Sequence, residues 1–415
     1  MKNHIISGSI ILASCGLASA QNLYNLAPNT EAAESSPLKW TAGLEIGFDD
    51  NVTPTVLPGT AGFEDDATSV TAYVGADLVN ITPQTTWDVF AKVGGIYYLD
   101  SPAAIGSDDF FGQARLSANW THRVSERLRF SSRNYVAYEL EPDYSYGLTV
   151  DRLTEEYLHY QTDNSVGYRW TERFGTYTGF RVRGIDYNSV GSNNDRISYS
   201  IYNQFRFRAT EQTNWTFDYR YGWTETSGSA ADSENHYFLL GLEHRFSPNT
   251  ILAAKAGVQV RDTDGGADGD KPFFEAALRS RLNEQLSVRT FVRYSIEEYG
   301  TSLGGGYTYD SNQTLRFGVS ADYIVSPTLT LHGGINYINI DMEDGRGPTT
   351  LSDLDQDLLN LYLGFSYKVN DGVFITGSYN WTDSDGNGGV GPVVPFSTTR
   401  TYDRNRASLG VRVEF

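Results

Sequence analysis

The feature that most constrains this chain is a two-residue alternation of apolar side chains with polar or small ones, which recurs from residue 40 to residue 415. The alternation is clearest in the segments 40–48, 158–170, 215–223, 252–260, 286–296, 359–367 and 407–415. Successive side chains of a β-strand point to opposite faces, so the pattern predicts strands with one apolar and one polar face. Helical spacing fits these segments poorly.

The breaks between the predicted strands alternate between two kinds. Short polar turns lie at residues 82–84, 125–126, 171–172, 210–212, 247–249, 283–285, 326–327 and 370–372. Longer, acidic and glycine-rich breaks lie between them, for example at residues 49–66, 142–151, 262–271, 341–353 and 383–399. This regular alternation predicts an all-β chain of antiparallel, up-and-down strands, about 18 in number, with 16–18 compatible with the pattern.

Two folds with many short strands compete for this pattern. A soluble propeller has repeats of about 40–50 residues, which is close to the spacing of the turns here. The tryptophans separate the folds because all seven fall on the apolar faces, near strand ends; they are Trp40, Trp87, Trp120, Trp170, Trp215, Trp223 and Trp381. Most of these tryptophans lie beside the short turns and form one aromatic belt. Six tyrosines near the long breaks form a second belt; they are Tyr97, Tyr138, Tyr221, Tyr294, Tyr337 and Tyr379. Aromatic belts on an apolar face favour a transmembrane β-barrel.

The first residues predict export. A basic start, an apolar stretch over residues 5–17 and the sequence Ala18-Ser19-Ala20 form a secretory signal peptide, residues 1–20, cleaved between Ala20 and Gln21. Residues 21–37 then form a loose periplasmic lead, and residues 38–415 form the barrel. An alternative is a lipoprotein box that ends at Cys15, which would place a lipid on that cysteine.

The two ends of the predicted barrel carry family resemblances. Apolar side chains alternate with Gly410, Arg412 and Glu414 up to the terminal Phe415. This strand resembles the C-terminal strand that outer-membrane proteins present to the barrel-assembly machinery, with Phe415 as the assembly signal. Residues 43–52 are similar to the first strand of a family of β-barrel porins. The resemblance implies a cell outer-membrane location, with membrane lipid and the assembly machinery as partners.

The polar face of each strand, which consists of every second residue (one parity of its positions), is rich in arginine. The residues that we predict to line a pore are Arg115, Arg129, Arg181, Arg183, Arg206, Arg208, Arg279 and Arg281. A wet lumen with guanidinium groups on its wall would favour anions or carboxylated and phosphorylated solutes. The alternative is that these arginines pair with acidic side chains on neighbouring strands and brace the wall.

Several classes of function find no support. The net charge of −19 argues against a nucleic-acid partner. None of the six histidines stands in a recognisable nucleophile setting, and no phosphate loop, HExxH or CxxC motif is present, so we expect neither an enzyme nor a cofactor. Asp383, Asp385, Asn387 and Gly388 match the start of a calcium loop, but Val394 replaces its twelfth-position acid. We expect a solvated loop there and no metal.

The sequence therefore predicts an outer-membrane, porin-like channel for passive or facilitated diffusion of small hydrophilic solutes, with a preference for anions. A barrel of about 18 strands is too wide for side chains alone to fill, which favours a channel. The alternative function is a structural or export barrel, such as the outer port of a polysaccharide or protein secretion route. A surface enzyme ranks third.

Overall fold

A computed structural model describes residues 36–52, 66–100, 109–140, 156–188, 195–227, 231–266, 269–297, 302–304, 307–347, 351–389 and 401–415. Cys15, the cleavage point between Ala20 and Gln21, and nearly all of the predicted lead lie outside these ranges. In the part of the chain that the structure describes, no helix is long and apolar enough to cross a membrane.

Nineteen strands fall within the described ranges. The first nine are β1 (Ser36–Asp49), β2 (Ala67–Ile81), β3 (Thr85–Tyr98), β4 (Phe110–Arg123), β5 (Leu128–Glu139), β6 (Tyr157–Arg169), β7 (Phe174–Tyr187), β8 (Arg196–Arg208) and β9 (Thr213–Thr226). The others are β10 (Ser233–Ser247), β11 (Thr250–Thr263), β12 (Gly269–Arg281), β13 (Leu286–Ile296), β14 (Ser302–Gly304), β15 (Tyr307–Ser326), β16 (Leu329–Arg346), β17 (Leu354–Asn370), β18 (Val373–Gly388) and β19 (Tyr402–Glu414).

The strands form one closed ring. Each long strand pairs antiparallel with its neighbours along the chain, and β1 also pairs with β19. The three-residue β14 forms a small hairpin with the start of β15, whereas β13 pairs directly with the rest of β15. The ring therefore has 18 strands, and the prediction of an antiparallel up-and-down barrel of about that size is confirmed.

The outside of the ring is an apolar band between two aromatic belts. Large aliphatic side chains on alternate positions point outward, and Leu240 and Leu363 are 60% and 66% exposed in the isolated chain. The tryptophans share this parity: Trp87 stands opposite Trp120 with ring centroids 5.7 Å apart, and Trp381 stands opposite the outward Leu361. Bilayer hydrocarbon covers such a surface, and the belts mark its two edges.

The seam between β1 and β19 closes the barrel. The N–H groups of Trp40 and Phe415 donate to each other's carbonyl oxygens at 2.8 and 2.9 Å. At the other end of the seam, Arg404 forms an ion pair with Asp49, and its Nε lies 2.9 Å from Oδ1 of that carboxylate. Ion pairing and backbone pairing thus act together where the first and last strands meet.

The long breaks are shorter than predicted, because residues 341–346 lie in β16 and residues 383–388 lie in β18. Asp383, Asp385 and Asn387 lie in β18, on its outward parity, and pair across to β17 instead of forming a loop. The strands extend past the tyrosine belt because water outside the hydrocarbon solvates acidic side chains that lipid would exclude. Belt side chains reach these polar groups, since Tyr337 Oη donates to Asp357 at 2.6 Å.

A polar ring interrupts the apolar band on β5 and β6. Ser132 Oγ donates to Asn164 Oδ1 at 2.7 Å, and Asn164 Nδ2 donates to Thr162 Oγ1 at 2.8 Å. Thr162 Oγ1 donates to Asn134 Oδ1 at 2.8 Å, and Asn134 Nδ2 donates back to Ser132 Oγ at 3.1 Å. We call these four residues the outer quartet. Because each side chain both donates and accepts within the ring, four polar groups are tolerated on a face that meets hydrocarbon.

The outer quartet can be tested by a double-mutant cycle on Asn134→Val and Thr162→Val, which stand directly opposite each other. We expect a coupling free energy of about 0.5–2 kcal/mol, because each single change leaves the remaining groups of the ring short of a partner in lipid. The measurement is urea unfolding of the protein in lipid vesicles. The control cycle combines Asn134→Val with Thr290→Val on β13, which shares no partner with it. Equal coupling in both cycles would show that the quartet is not a unit.

Candidate functional site in the barrel lumen

The eight arginines predicted to line a pore all lie on the parity opposite the apolar band. They come from β4 (Arg115), β5 (Arg129), β7 (Arg181 and Arg183), β8 (Arg206 and Arg208) and β12 (Arg279 and Arg281). The barrel pairs these strands so that their polar parities share the lumen. The arginines on β7, β8 and β12 are spaced two residues apart, which places each pair on one face of its strand.

Ion pairs neutralise part of this charge. Arg181 lies 2.5 Å from the carboxylate of Asp163 on β6, and Tyr202 Oη donates to the same carboxylate at 2.6 Å. Arg115 pairs with Glu139 on β5, where its Nε donates at 2.8 Å. Further pairs on this parity include Arg206 with Glu243, Lys255 with Asp218, and Arg316 with Glu297. Arg115, Arg181 and Arg206 therefore pair with acidic side chains on other strands and brace the wall.

Other arginines stand close to like charges. The guanidinium of Arg183 lies within electrostatic range of Arg181, Arg196 and Arg293, with Glu297 as the acid nearby. The register places Arg293 between Glu275 on β12 and Arg316 on β15, and Arg316 also pairs with Glu297. Directly opposed like charges destabilise a sheet. The middle of the lumen thus keeps a surplus of positive charge on one side.

The opposite wall is neutral, which the sequence analysis missed. On β16, β17 and β18, amides follow one another around the ring: Asn336 Nδ2 donates to Asn360 at 3.4 Å, and Asn360 Nδ2 donates to Asn380 at 3.0 Å. At the rim of this wall, Lys368 hydrogen-bonds to Asp371 and lowers the pKa of that carboxyl group. The lumen therefore has an arginine wall and an amide wall. In the sequence, runs of Asn, Ser and Thr at the inward positions of β16–β18 would have indicated the amide wall.

Apolar clusters line the lumen at the long-break end, which the sequence analysis also missed. One cluster on β15–β17 and the segment before β17 consists of Tyr309, Ile338, Ile340, Met342, Leu351, Leu354 and Leu358. A second on β5–β7 consists of Tyr135, Ala137, Tyr157, Ile185 and Tyr187. These side chains are buried, so this end of the lumen is closely packed and is not a uniformly wide aqueous pore.

A cavity of about 770 Å³ occupies the short-turn end of the lumen. We call it the vestibule. Its arginines are Arg123, Arg127, Arg129, Arg169, Arg173, Arg206, Arg208 and Arg245, and its glutamates are Glu126, Glu172, Glu211 and Glu243. Three of these eight arginines, Arg129, Arg206 and Arg208, are among the residues that the sequence predicts to line the pore.

The inner side of the vestibule is organised around Tyr177. Arg129 donates to its hydroxyl at 2.7 Å, and the guanidinium carbons of Arg129 and Arg206 lie 5.5 and 5.4 Å from its ring centroid. The ring lies over Gly167, directly across the sheet, and a Cβ at that glycine would overlap it. A glycine on β6 therefore makes room for the aromatic ring that orients two arginines.

We predict that Gly167→Ala lowers the free energy of unfolding by about 1–3 kcal/mol, because the added methyl group must displace the Tyr177 ring. In a Tyr177→Ala background the same change should have little effect, since the overlapping ring is gone. Gly269→Ala is the matched control, because a Cβ there meets no heavy atom within 4 Å. Chemical unfolding in lipid vesicles measures all four variants. An equal loss for Gly167→Ala in both backgrounds would contradict the role of Tyr177.

Comparison with known proteins finds similarity only to solved structures. No protein-family model matches the chain, and no curated protein does. Among solved structures, OpdK of Pseudomonas aeruginosa, determined with vanillate, is 14% identical with a TM-score of 0.46, over 91% of this chain and 98% of that one. OccAB4 of Acinetobacter baumannii is 12% identical with a TM-score of 0.45, over 92% and 99%.

A third solved structure, the siderophore receptor PirA of Pseudomonas aeruginosa, is 9% identical with a TM-score of 0.42, over 92% of this chain and 81% of that one. Identities and scores at this level leave function to be argued from the residues of the barrel itself. The closed ring, its apolar band and its aromatic belts make the chain a bacterial outer-membrane β-barrel of porin-like architecture.

Proposed function

We propose that this barrel is a porin-like channel for passive or facilitated diffusion of small hydrophilic solutes, with a preference for anions. The observation that carries the proposal is the surplus of arginine on one wall of the lumen, around Arg183 and its neighbours. Fixed positive charge in a narrow wet passage raises the local concentration of anions. The amide wall opposite offers hydrogen bonds without a competing charge.

A structural or export barrel is the second candidate, and the packed long-break end of the lumen favours it. The apolar clusters there leave a narrower route than the 18-strand ring alone would suggest. Ion conductance separates the two candidates, because a structural barrel sealed at that end would carry no steady current.

The selectivity prediction concerns Arg183, Arg208 and Arg281, which lie on the lumen parity of β7, β8 and β12. We expect mild anion preference at 0.1 M salt, where the Debye length is about 10 Å, and its loss at 1 M, where that length is about 3 Å. Changing the three arginines to glutamine should shift the reversal potential toward cations. The measurement is the reversal potential of single channels in a planar bilayer under a KCl gradient.

The matched control for selectivity replaces the same three arginines with lysine, which keeps their charge. This variant should retain the anion preference of the wild-type protein. Cation selectivity of the wild-type channel at low salt would mean that acidic partners neutralise the wall and that the arginines serve to brace it. Absence of any conductance would place the export or structural function first.

We also propose that Phe415 is the signal by which the assembly machinery recognises the terminal strand. Its side chain is 73% exposed on the outward parity, whereas its backbone pairs with Trp40. Phe415→Asp keeps the backbone pairing and removes the aromatic ring, so it should lower the amount of heat-modifiable, folded protein in the outer membrane. Phe415→Tyr should restore it. Normal levels of folded Phe415→Asp protein would refute recognition through the side chain.

A further inference from the structure

The vestibule concentrates positive charge beyond what its own acids neutralise. Eight arginines and four glutamates line it, and the guanidinium group stays charged at any physiological pH. One acid, Glu243, pairs closely with Arg206. Another, Glu126, lies 3.8 Å from Arg169, and both side chains are exposed, which makes that pair weak. The lining therefore carries a formal surplus of four positive charges.

The short turns hold several of these arginines in adjacent positions. Ser125 Oγ accepts hydrogen bonds from the N–H groups of Arg127 and Leu128, at 3.2 and 3.1 Å, and fixes the turn between β4 and β5. The N–H of Arg169 then donates to the carbonyl of Arg127 at 2.8 Å. The backbones of two arginines are thereby bonded directly to each other.

The next turn repeats this arrangement. Thr171 Oγ1 accepts from the N–H of Arg173 at 3.3 Å, and the N–H of Arg208 donates to the carbonyl of Arg173 at 2.7 Å. On the adjoining pair of strands, Arg123 stands directly opposite Arg129. Like charges in such positions repel, and an anionic ligand between them would relieve that repulsion.

We propose that the vestibule is a binding site for solutes that carry two or more phosphate or carboxylate groups. Guanidinium groups bind both kinds of group bidentately. The cavity, about 770 Å³ in volume, falls within the range of about 300–1,000 Å³ that is typical of small-molecule sites. Its arginines span β4 to β10, so a ligand must present several anionic groups to engage more than one strand pair. The inference extends the proposed anion channel, but binding itself requires no transport.

The test is isothermal titration of the purified full-length protein in detergent with inorganic tripolyphosphate, with orthophosphate as the single-group comparison. Tripolyphosphate should bind at least about tenfold more tightly, and its affinity should fall steeply as salt is added. The variant Arg127→Gln/Arg173→Gln should weaken tripolyphosphate binding by about tenfold or more, because it removes one guanidinium from each turn.

The matched control is Arg289→Gln/Lys368→Gln, which removes two positive charges outside the vestibule. It should leave the tripolyphosphate affinity within about twofold of the wild-type value, since screening limits the reach of distant charges. Equal weakening by both double variants would overturn the site in favour of a general electrostatic effect. No difference between tripolyphosphate and orthophosphate would overturn it as well.

Two further measurements identify the source of the ligand and separate this inference from channel function. In nanodiscs, loss of tripolyphosphate binding only when phosphatidylglycerol is present would show that lipid headgroups fill the vestibule, and would overturn a soluble ligand. In planar bilayers, tripolyphosphate should reduce the current from the short-turn side at lower concentration than from the other side. A barrel that conducts no current yet binds tripolyphosphate in titration would refute the channel and keep the binding site.

Discussion

Every feature of this protein depends on the closure of its backbone hydrogen bonds into a ring. In hydrocarbon an unpaired N–H or C=O group costs several kcal/mol, so an open sheet edge is not tolerated. The pairing of β1 with β19 removes that edge, from Thr41 opposite Glu414 to Asp49 opposite Arg406. The side chains of Arg404 and Asp49 reinforce the same seam with an ion pair. Without this closure, neither an apolar outside nor a charged inside could exist.

Closure also fixes which chemistry faces which solvent. A shift in strand register by one residue would send every arginine of the lumen into lipid and every belt tryptophan inward. The outer quartet is the informative exception, because its polar groups face hydrocarbon without any shift in register. Its four hydrogen bonds form a closed ring. Hydrocarbon therefore excludes polar groups that lack hydrogen-bond partners, and an apolar side chain is the usual but not the sole way to meet that requirement.

The sequence was sufficient to predict the barrel and its strand number, because both follow from the two-residue period and the alternation of breaks. The sequence was insufficient for features that depend on contacts between strands far apart in the chain. Arg183 on β7 and Arg293 on β13 are 110 residues apart in the numbering, yet they influence each other inside the ring. The vestibule, the amide wall and the apolar clusters arise in the same way. The ends of β16 and β18 were predicted too early, because acidic side chains are compatible with a strand that extends beyond the hydrocarbon into water.

The distribution of charge resolves an apparent contradiction between an acidic chain and a lumen proposed to favour anions. The net charge is −19, yet many acids near the long breaks lie on the outward parity of the strands, as Asp357, Asp385 and Asp403 do. The arginines lie on the inward parity, and the vestibule places eight of them at the short-turn end. Because charges further apart than about 8–10 Å are largely screened at physiological salt, a solute inside the barrel responds to the inner wall and not to the net charge. The sign of the net charge therefore does not determine which ions the lumen prefers. That preference depends on which charged side chains face inward.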